Sequence, residues 1–417
     1  MTKIIFNVLS RKNRKKLQKR LGKDSLAVFF SNHKMPKNGD QYFPYRQNSD
    51  LFYLTGIKQP ETILLISPED EILFIQKPNP SHSLWGGDSL SPEKASKISD
   101  IANIKYTEEF REVFHQITVK RKAVYFNTAL KITDVPIKSR DENFLKWFRE
   151  TYPFHQPKSI RPIMKKLRMV KEPEEIEQIT DAINITERVF MKLFPLIKAG
   201  VNEKELEAKV RYEFMKQGCD GPAYDPIIAS GENACILHYI NNNSICAQED
   251  LLLMDIGAES NYYAADITRT VPVSGKFNDK QREYYQAVLE VMEETIQKIK
   301  PGINLKDLNS FTRERLTEKH IELGLYTKSD NEDQQLSTKY FPHGVSHFMG
   351  LDVHDYGDKE TSLEKGMVLT CEPGLYIPEE NIGIRIEDDI LVDEKPINLS
   401  GNIPKTVETI EKLMNTN

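Results

Sequence analysis

Four acids and a cluster of histidines in the second half of the chain have types and spacing that suit divalent cations. The first pair lies in two apolar runs, Leu251-Leu252-Leu253-Met254-Asp255-Ile256-Gly257 and Ala264-Ala265-Asp266-Ile267-Thr268-Arg269-Thr270, which flank a polar turn. A hairpin turning at Ser260-Asn261 places Asp255 directly opposite Asp266 on one face. Two half-buried carboxylates so placed cost several kcal/mol unless a cation or a partner compensates them. A bound metal would do so; a structural bridge from Arg269 or Arg385 would serve one of them equally well. His343, His347 and His354 fall in one short segment with Gly344 and Gly350, and neutral imidazole is both a metal ligand and a proton shuttle. Their spacing is not a zinc-finger or H-E-x-x-H pattern. Glu372 ends the apolar run Met367-Val368-Leu369-Thr370-Cys371 and is held extended by Pro373. In Ile384-Arg385-Ile386-Glu387-Asp388-Asp389-Ile390, period two puts Arg385, Glu387 and Asp389 on one face, which taken alone suits a solvated strand.

Together the set is Asp255, Asp266, Glu372, Glu387 and one imidazole. Four carboxylates neutralise two divalent cations. Oxygen-rich ligation with one imidazole favours Mn²⁺ over thiolate-type Zn²⁺. Two such ions roughly 3.5–4 Å apart share and activate a hydroxide for hydrolysis.

The elements that must position these residues read as two domains. Residues 1–166 alternate short apolar runs (Leu26–Phe30, Phe52–Leu54, Thr62–Ile66 and Ile72–Ile75) with helical stretches at Pro92–Ala102 and Asp141–Thr151, an α/β pattern. The proline-spaced stretch 152–166 reads as a linker. Residues 167–417 read as α+β. Here Pro173 opens a helix over Glu174–Phe194, and a second runs Asp279–Lys300 to the Pro301-Gly302 stop. Strands are expected at 225–275 and 366–396.

Composition narrows the class. The chain has 417 residues, 39% hydrophobic and 29% charged, which is a globular balance. With 57 basic and 62 acidic residues the net charge is −5, so no basic field draws nucleic acid. No apolar run is long enough to span a membrane. The four cysteines, Cys219, Cys235, Cys246 and Cys371, form no C-x-x-C pair, and a reducing, cytoplasmic setting is expected. The basic start lacks the apolar core of a signal peptide and reads as a solvated surface helix over Leu9–Leu21, rather than a targeting segment.

The order of motifs, Asp-x₁₀-Asp, His-Gly-x-Ser-His, Glu-Pro-Gly and Arg-Ile-Glu-Asp, resembles the pita-bread metallopeptidases, and within them the Xaa-Pro aminopeptidase (aminopeptidase P) group. Phe43-Pro44-Tyr45-Arg46-Gln47-Asn48-Ser49-Asp50 resembles that group's N-terminal domain signature, and Arg168–Ile176 its catalytic-domain entry. The resemblance covers almost the whole chain. It implies an α/β N-terminal domain followed by an α+β pita-bread catalytic domain. By resemblance, Asp255, Asp266, His347, Glu372 and Glu387 are the ligands of two divalent ions, with Asp266 and Glu387 bridging and Glu372 also a general base. His238 and His354 would stabilise the intermediate, and His343 would line a proline pocket. Tyr376 and Arg385 would support the site, and Trp85 would reach it, in many relatives from a neighbouring subunit. The implied reaction is hydrolysis of the bond between an N-terminal residue and a penultimate proline by a metal-bridging hydroxide, in a homodimer or homotetramer. A proline nitrogen carries no hydrogen, so strand-like docking of substrate fails there and a dedicated pocket is required.

There are departures. Glu372 and Glu387 stand 15 residues apart, closer than in many relatives. The stretch 359–365 has no arginine of the kind that prolidases use to hold a dipeptide carboxylate, which weighs against Xaa-Pro dipeptidase activity. A metal-free, peptide-binding version of the fold is disfavoured because all five acceptors are present. A creatinase-type hydrolase lacks this ligand set.

Overall fold

The computed structural model describes residues 2–78, 87, 89–128, 138–331 and 334–415. The chain divides after Leu167 into two units, Met1–Leu167 and Arg168–Asn417.

The first unit is built on a six-stranded mixed sheet. Its strands are β1 (Ser25–Phe30), β4 (Ile63–Ile66), β5 (Glu71–Ile75), β6 (Ile104–Tyr106), β7 (Ala123–Phe126) and β8 (Gln156–Ser159), in the order β6-β5-β4-β1-β7-β8. A separate hairpin pairs β2 (Pro36–Asn38) with β3 (Gln41–Tyr42). Strand β1 is buried along its whole length, as its unbroken apolar run requires of a central strand. One face packs Phe30, Phe74, Phe110, Phe114, Phe126, Phe144 and Phe148 into an aromatic core. Neighbouring rings such as Phe30 and Phe110, 5.7 Å apart at 84°, meet edge to face.

Three expectations for this unit fail. Phe52–Leu54 is helical, within Ser49–Thr55. The Asn48 side chain accepts from the amides of Asp50 and Leu51, and Gly56 (φ 68°) closes the helix, so caps outweigh a short aromatic run. The stretch 152–166 is no linker: it supplies β8 and the start of helix Arg161–Met169. Pro157 is tolerated in β8 because that strand is at the sheet edge, paired only with β7. The first helix, Thr2–Gln18, is not merely a solvated basic face. Leu9, Asn13, Arg14 and Leu17 are buried. The Arg14 guanidinium donates to Glu71 at 2.9 and 3.1 Å and to the Leu54 carbonyl at 2.7 Å.

The second unit sets helices against short antiparallel sheets, and so is α+β. Strands β10 (Ile227–Ser230), β11 (Leu251–Ile256) and β14 (Ile267–Pro272) form one sheet. A second contains β9 (Gly221–Pro222), β12 (Ala258–Ser260) and β13 (Tyr263–Ala264). A third contains β15 (Val368–Cys371), β18 (Asp388–Leu391) and β19 (Ile397–Asn398), and β16 (Gly374–Ile377) pairs with β17 (Ile382–Arg385). Helix Pro173–Leu193 packs on β12 and β13, and helix Asp279–Ile296 on β15, β16 and β17. Both helices start where the sequence places them, the second under an Asn278–Gln281 capping box.

Candidate active site

Asp255 leaves β11 from a position paired with Thr268, not Asp266. The hairpin turns at Asn261-Tyr262, whose φ values of 51° and 72° suit a tight mirror-image turn, so the register slides by two residues from the expected one. A two-residue slide keeps the parity of the strand, and both acids still reach one cleft. Gly257 is required between them: a Cβ there would stand 1.8 Å from the Ala265 carbonyl oxygen.

The cleft, about 470 Å³, is lined by Asp255, Asp266, His347, Glu372 and Glu387, together with His238, His343, His354 and Arg385. Asp266, His347 and Glu387 offer ligand-type atoms within 4.8 Å of one another. His347 Nε2 stands 3.3 Å from Asp266 and 3.7 Å from Glu372. Its backbone is paired to Thr370, and its Nδ1 faces the Phe348 carbonyl at 3.3 Å. A hydrogen on Nδ1 leaves the Nε2 lone pair aimed at the acids. Trp85 lies outside the described residues. A larger groove, about 1220 Å³, runs along helix Leu305–Glu322 and is lined by mixed side chains such as Arg313, Glu318 and Lys328. It brings together no acid–imidazole cluster among the described residues.

The expected solvated face at 384–389 is buried. Arg385, Glu387 and Asp389 are 4%, 2% and 0% exposed, because β14 packs across them. Of the two arginines that could bridge one of the acids, Arg385 does so: its guanidinium donates to Asp255 at 2.5 Å, to the Thr268 hydroxyl and to Tyr376. Tyr376 in turn lies 2.8 Å from His343 Nε2. Arg269 instead bonds Asp388. The loop carrying His238 is tied down by Glu203, whose carboxylate accepts from Ser230, Asn233, Tyr239 and Ser244.

Three contributors were not legible in the sequence. The Tyr224 hydroxyl donates to Asp255 at 2.6 Å, and the Thr268 hydroxyl to Glu387 at 2.7 Å. Asp389 accepts from the Asp266 amide at 3.1 Å. Tyr224 stands in the segment Pro222-Ala223-Tyr224-Asp225-Pro226, which carries no chemical signature.

The electrostatics show what the site lacks. Burial raises Asp255 despite Arg385, and it pushes Glu372 up to about 7 against the pull of His347 and Arg385. Burial, reinforced by Asp266 and Glu372, holds Glu387 well above the ordinary carboxylate range. For His347 burial opposes protonation, but the bond to Asp266 and the charge of Glu372 outweigh it and lift the ring to about 9. Burial and Arg385 push His343 down to about 3. Asp389 Oδ1 is buried with no hydrogen-bond partner among the described residues. One guanidinium cannot compensate this many buried acids. The donor set, oxygen-rich with one correctly oriented imidazole, fits a divalent cation.

Comparison with known proteins agrees with this geometry. Residues 177–394 match the model of metallopeptidase family M24, and residues 10–125 that of the aminopeptidase P N-terminal domain. The chain is 34% identical to Xaa-Pro aminopeptidase of Escherichia coli (strain K12), over 97% of this chain and 96% of that one. It is 31% identical to Xaa-Pro aminopeptidase 3 of Homo sapiens, over 96% and 82% respectively. Its fold superposes on proline aminopeptidase P II from Yersinia pestis with a TM-score of 0.90 at 30% identity, covering 99% of this chain and 100% of that chain. A buried acid–imidazole cleft in a pita-bread unit, preceded by an aminopeptidase P-type N-terminal domain, places the chain in metallopeptidase family M24.

Proposed function

We propose that the protein is a metal-dependent aminopeptidase that releases the residue preceding a penultimate proline. The observation that carries this reading is the convergence of Asp255, Asp266, His347, Glu372 and Glu387 in one cleft with three further histidines. Those five residues would hold two divalent ions, Mn²⁺ by donor type. When bound, such ions acidify a water and polarise the scissile carbonyl.

The chain's own residues supply the rest. Glu372, which lines the cleft 3.7 Å from His347, would accept a proton from the attacking water and return it to the leaving nitrogen. His238 and His354 line the cleft where a donor can stabilise charge developing on the carbonyl oxygen. His343, kept neutral by burial and Arg385 and bonded to Tyr376, offers a flat, uncharged wall to the proline ring. Arg385 holds Asp255 and Tyr376 in place. Homologues named for Xaa-Pro cleavage support the substrate class. We further propose a homodimer or homotetramer. A cytoplasmic setting is supported by four unpaired cysteines. No described helix is long and apolar enough to cross a membrane.

The test strips the metal, restores Mn²⁺, and assays an X-Pro dipeptide, an X-Pro-Y tripeptide and an X-Ala-Y control. Mn²⁺-dependent cleavage of the tripeptide at X-Pro, with the control spared, is expected. Cleavage of the dipeptide alone would make the enzyme a prolidase. No cleavage with Mn²⁺, Co²⁺ or Zn²⁺, despite bound metal, would overturn the peptidase reading. Light scattering reads the subunit number, and a monomer would overturn the oligomer.

A further inference from the structure

The entry segment Arg168-Met169-Val170-Lys171 has no part in the reaction described so far, yet it places two cations in the interior. Arg168 and Lys171 are 2% and 5% exposed. Arg168 meets Asp355 and Asp352, each at 2.7 Å, and its guanidinium lies 4.8 Å from the Tyr356 ring centroid. Lys171 lies 3.5 Å from the second Asp355 oxygen and donates to the Arg168 carbonyl at 2.8 Å. Its backbone amide is bonded to Gly366, and Val170 bridges Met367 at the edge of the sheet that leads to Glu372.

Asp352, Asp355 and Tyr356, which Arg168 contacts, sit on the irregular loop that carries His354. That ring has no hydrogen bond of its own among the described residues; its recorded ring contact is edge-on to His347, 4.4 Å between centroids. The direction of His354 is therefore set by its backbone, and the backbone by its neighbours. Asp355 is bonded through its amide to the Phe348 carbonyl and through its carboxylate to the two cations. Gly350 gives them room: a Cβ there would stand 2.3 Å from Asp355 Oδ2 and 2.9 Å from Lys171 Cε. A buried ionic cluster is weak evidence for stability, because apolar packing of equal volume is often as good. A charged anchor that fixes one geometry has its clearest use in position.

We propose that Arg168 and Lys171, through Asp355, are positioning residues that hold His354 over the cleft. The inference rests on the role given to His354 above. The test is a double-mutant cycle on the Mn²⁺-loaded enzyme, with H354A, D355N and the combined variant assayed on an X-Pro-Y tripeptide. D355N is expected to lower kcat by about 10²-fold, the scale of a group displaced by about 1 Å. KM should stay within about threefold, with metal content by elemental analysis unchanged. In the H354A background D355N should cost nothing further, since residues acting as one unit are not additive. A merely structural defect would multiply with H354A instead. Multiplying losses, or a D355N loss under about threefold, would overturn the proposal. If H354A alone leaves kcat unchanged, the role of His354 falls first, and that outcome is distinct from the other two. If D355N does not fold, R168K enters the same cycle: it keeps the charge but loses the rigid planar guanidinium that lies over the Tyr356 ring. Additivity there overturns the proposal equally.

Discussion

Glu387 and Asp388 are consecutive, 2% and 0% exposed, and displaced in opposite directions. Burial would raise both. At Asp388 it is outweighed by Arg269, Lys405 and Asn398, which donate to the carboxylate and hold it below the ordinary range. At Glu387 burial is joined by Asp266 and Glu372, and the group rises well above that range. The peptide bond between them separates a completed interior from an incomplete one. Arg269 shows what completion means. Its guanidinium meets the carbonyls of Thr268, Glu387, Ile403 and Pro404 and the carboxylate of Asp388, at 2.6–3.0 Å. Burial alone therefore does not mark a functional acid; burial without compensation does.

The sharpest way to break this contrast is Glu387→Gln. Activity is expected to fall on the order of 10³-fold with loss of bound metal, read by steady-state assay and elemental analysis. The metal-free protein should be as stable as before or more so, since a like charge is removed. Equal destabilisation in the metal-free state would refute the idea that Glu387 is uncompensated. Arg269→Met attacks the completed side. It strands Asp388 and four carbonyls, and urea denaturation should show a loss of about 3–5 kcal/mol.

Glu175 lies between the two extremes. Burial raises it to about 7, only partly offset by Lys171 and the Tyr263 hydroxyl. The folded state binds this proton more tightly than the unfolded chain, so its stabilising contribution is full below about 4.5 and is lost as pH rises through about 7. Wild type should therefore lose on the order of 2–3 kcal/mol relative to Glu175→Gln between pH 4.5 and 8. Parallel stability curves would show that Lys171 compensates Glu175 fully. The smallest effect is expected from Thr268→Val, which removes the hydroxyl shared by Arg385 and Glu387. A loss of about tenfold in kcat/KM with unchanged fold is expected, in line with other supporting groups around a metal site.

The acids and histidines were legible because four short motifs occur in order, and each bears groups that are costly to bury for no purpose. The face of the hairpin was legible from its alternation, but the register was not. Tyr262 adopts a left-handed conformation that bulky side chains rarely take, and nothing local announces it. At 384–389 alternation suggested water on one side, because a polar face buried against polar partners looks the same in sequence as a solvated one. Phe52–Leu54 was misread because its cap residues, Asn48 and Gly56, lie outside the aromatic run that drew attention. Tyr224 and Thr268 reach the acids only through tertiary pairing, so no window of sequence contains the information.

The shell around Arg269 also fixes an order of assembly. Its acceptors come from residues 268, 387, 388, 403 and 404. A chain emerging from the ribosome carries Arg269 long before Pro404 exists. Until then the segment bearing Glu387 lacks the clamp that Arg269 makes with residues 403 and 404. A fragment ending short of residue 403 should therefore fold poorly whatever metal is offered.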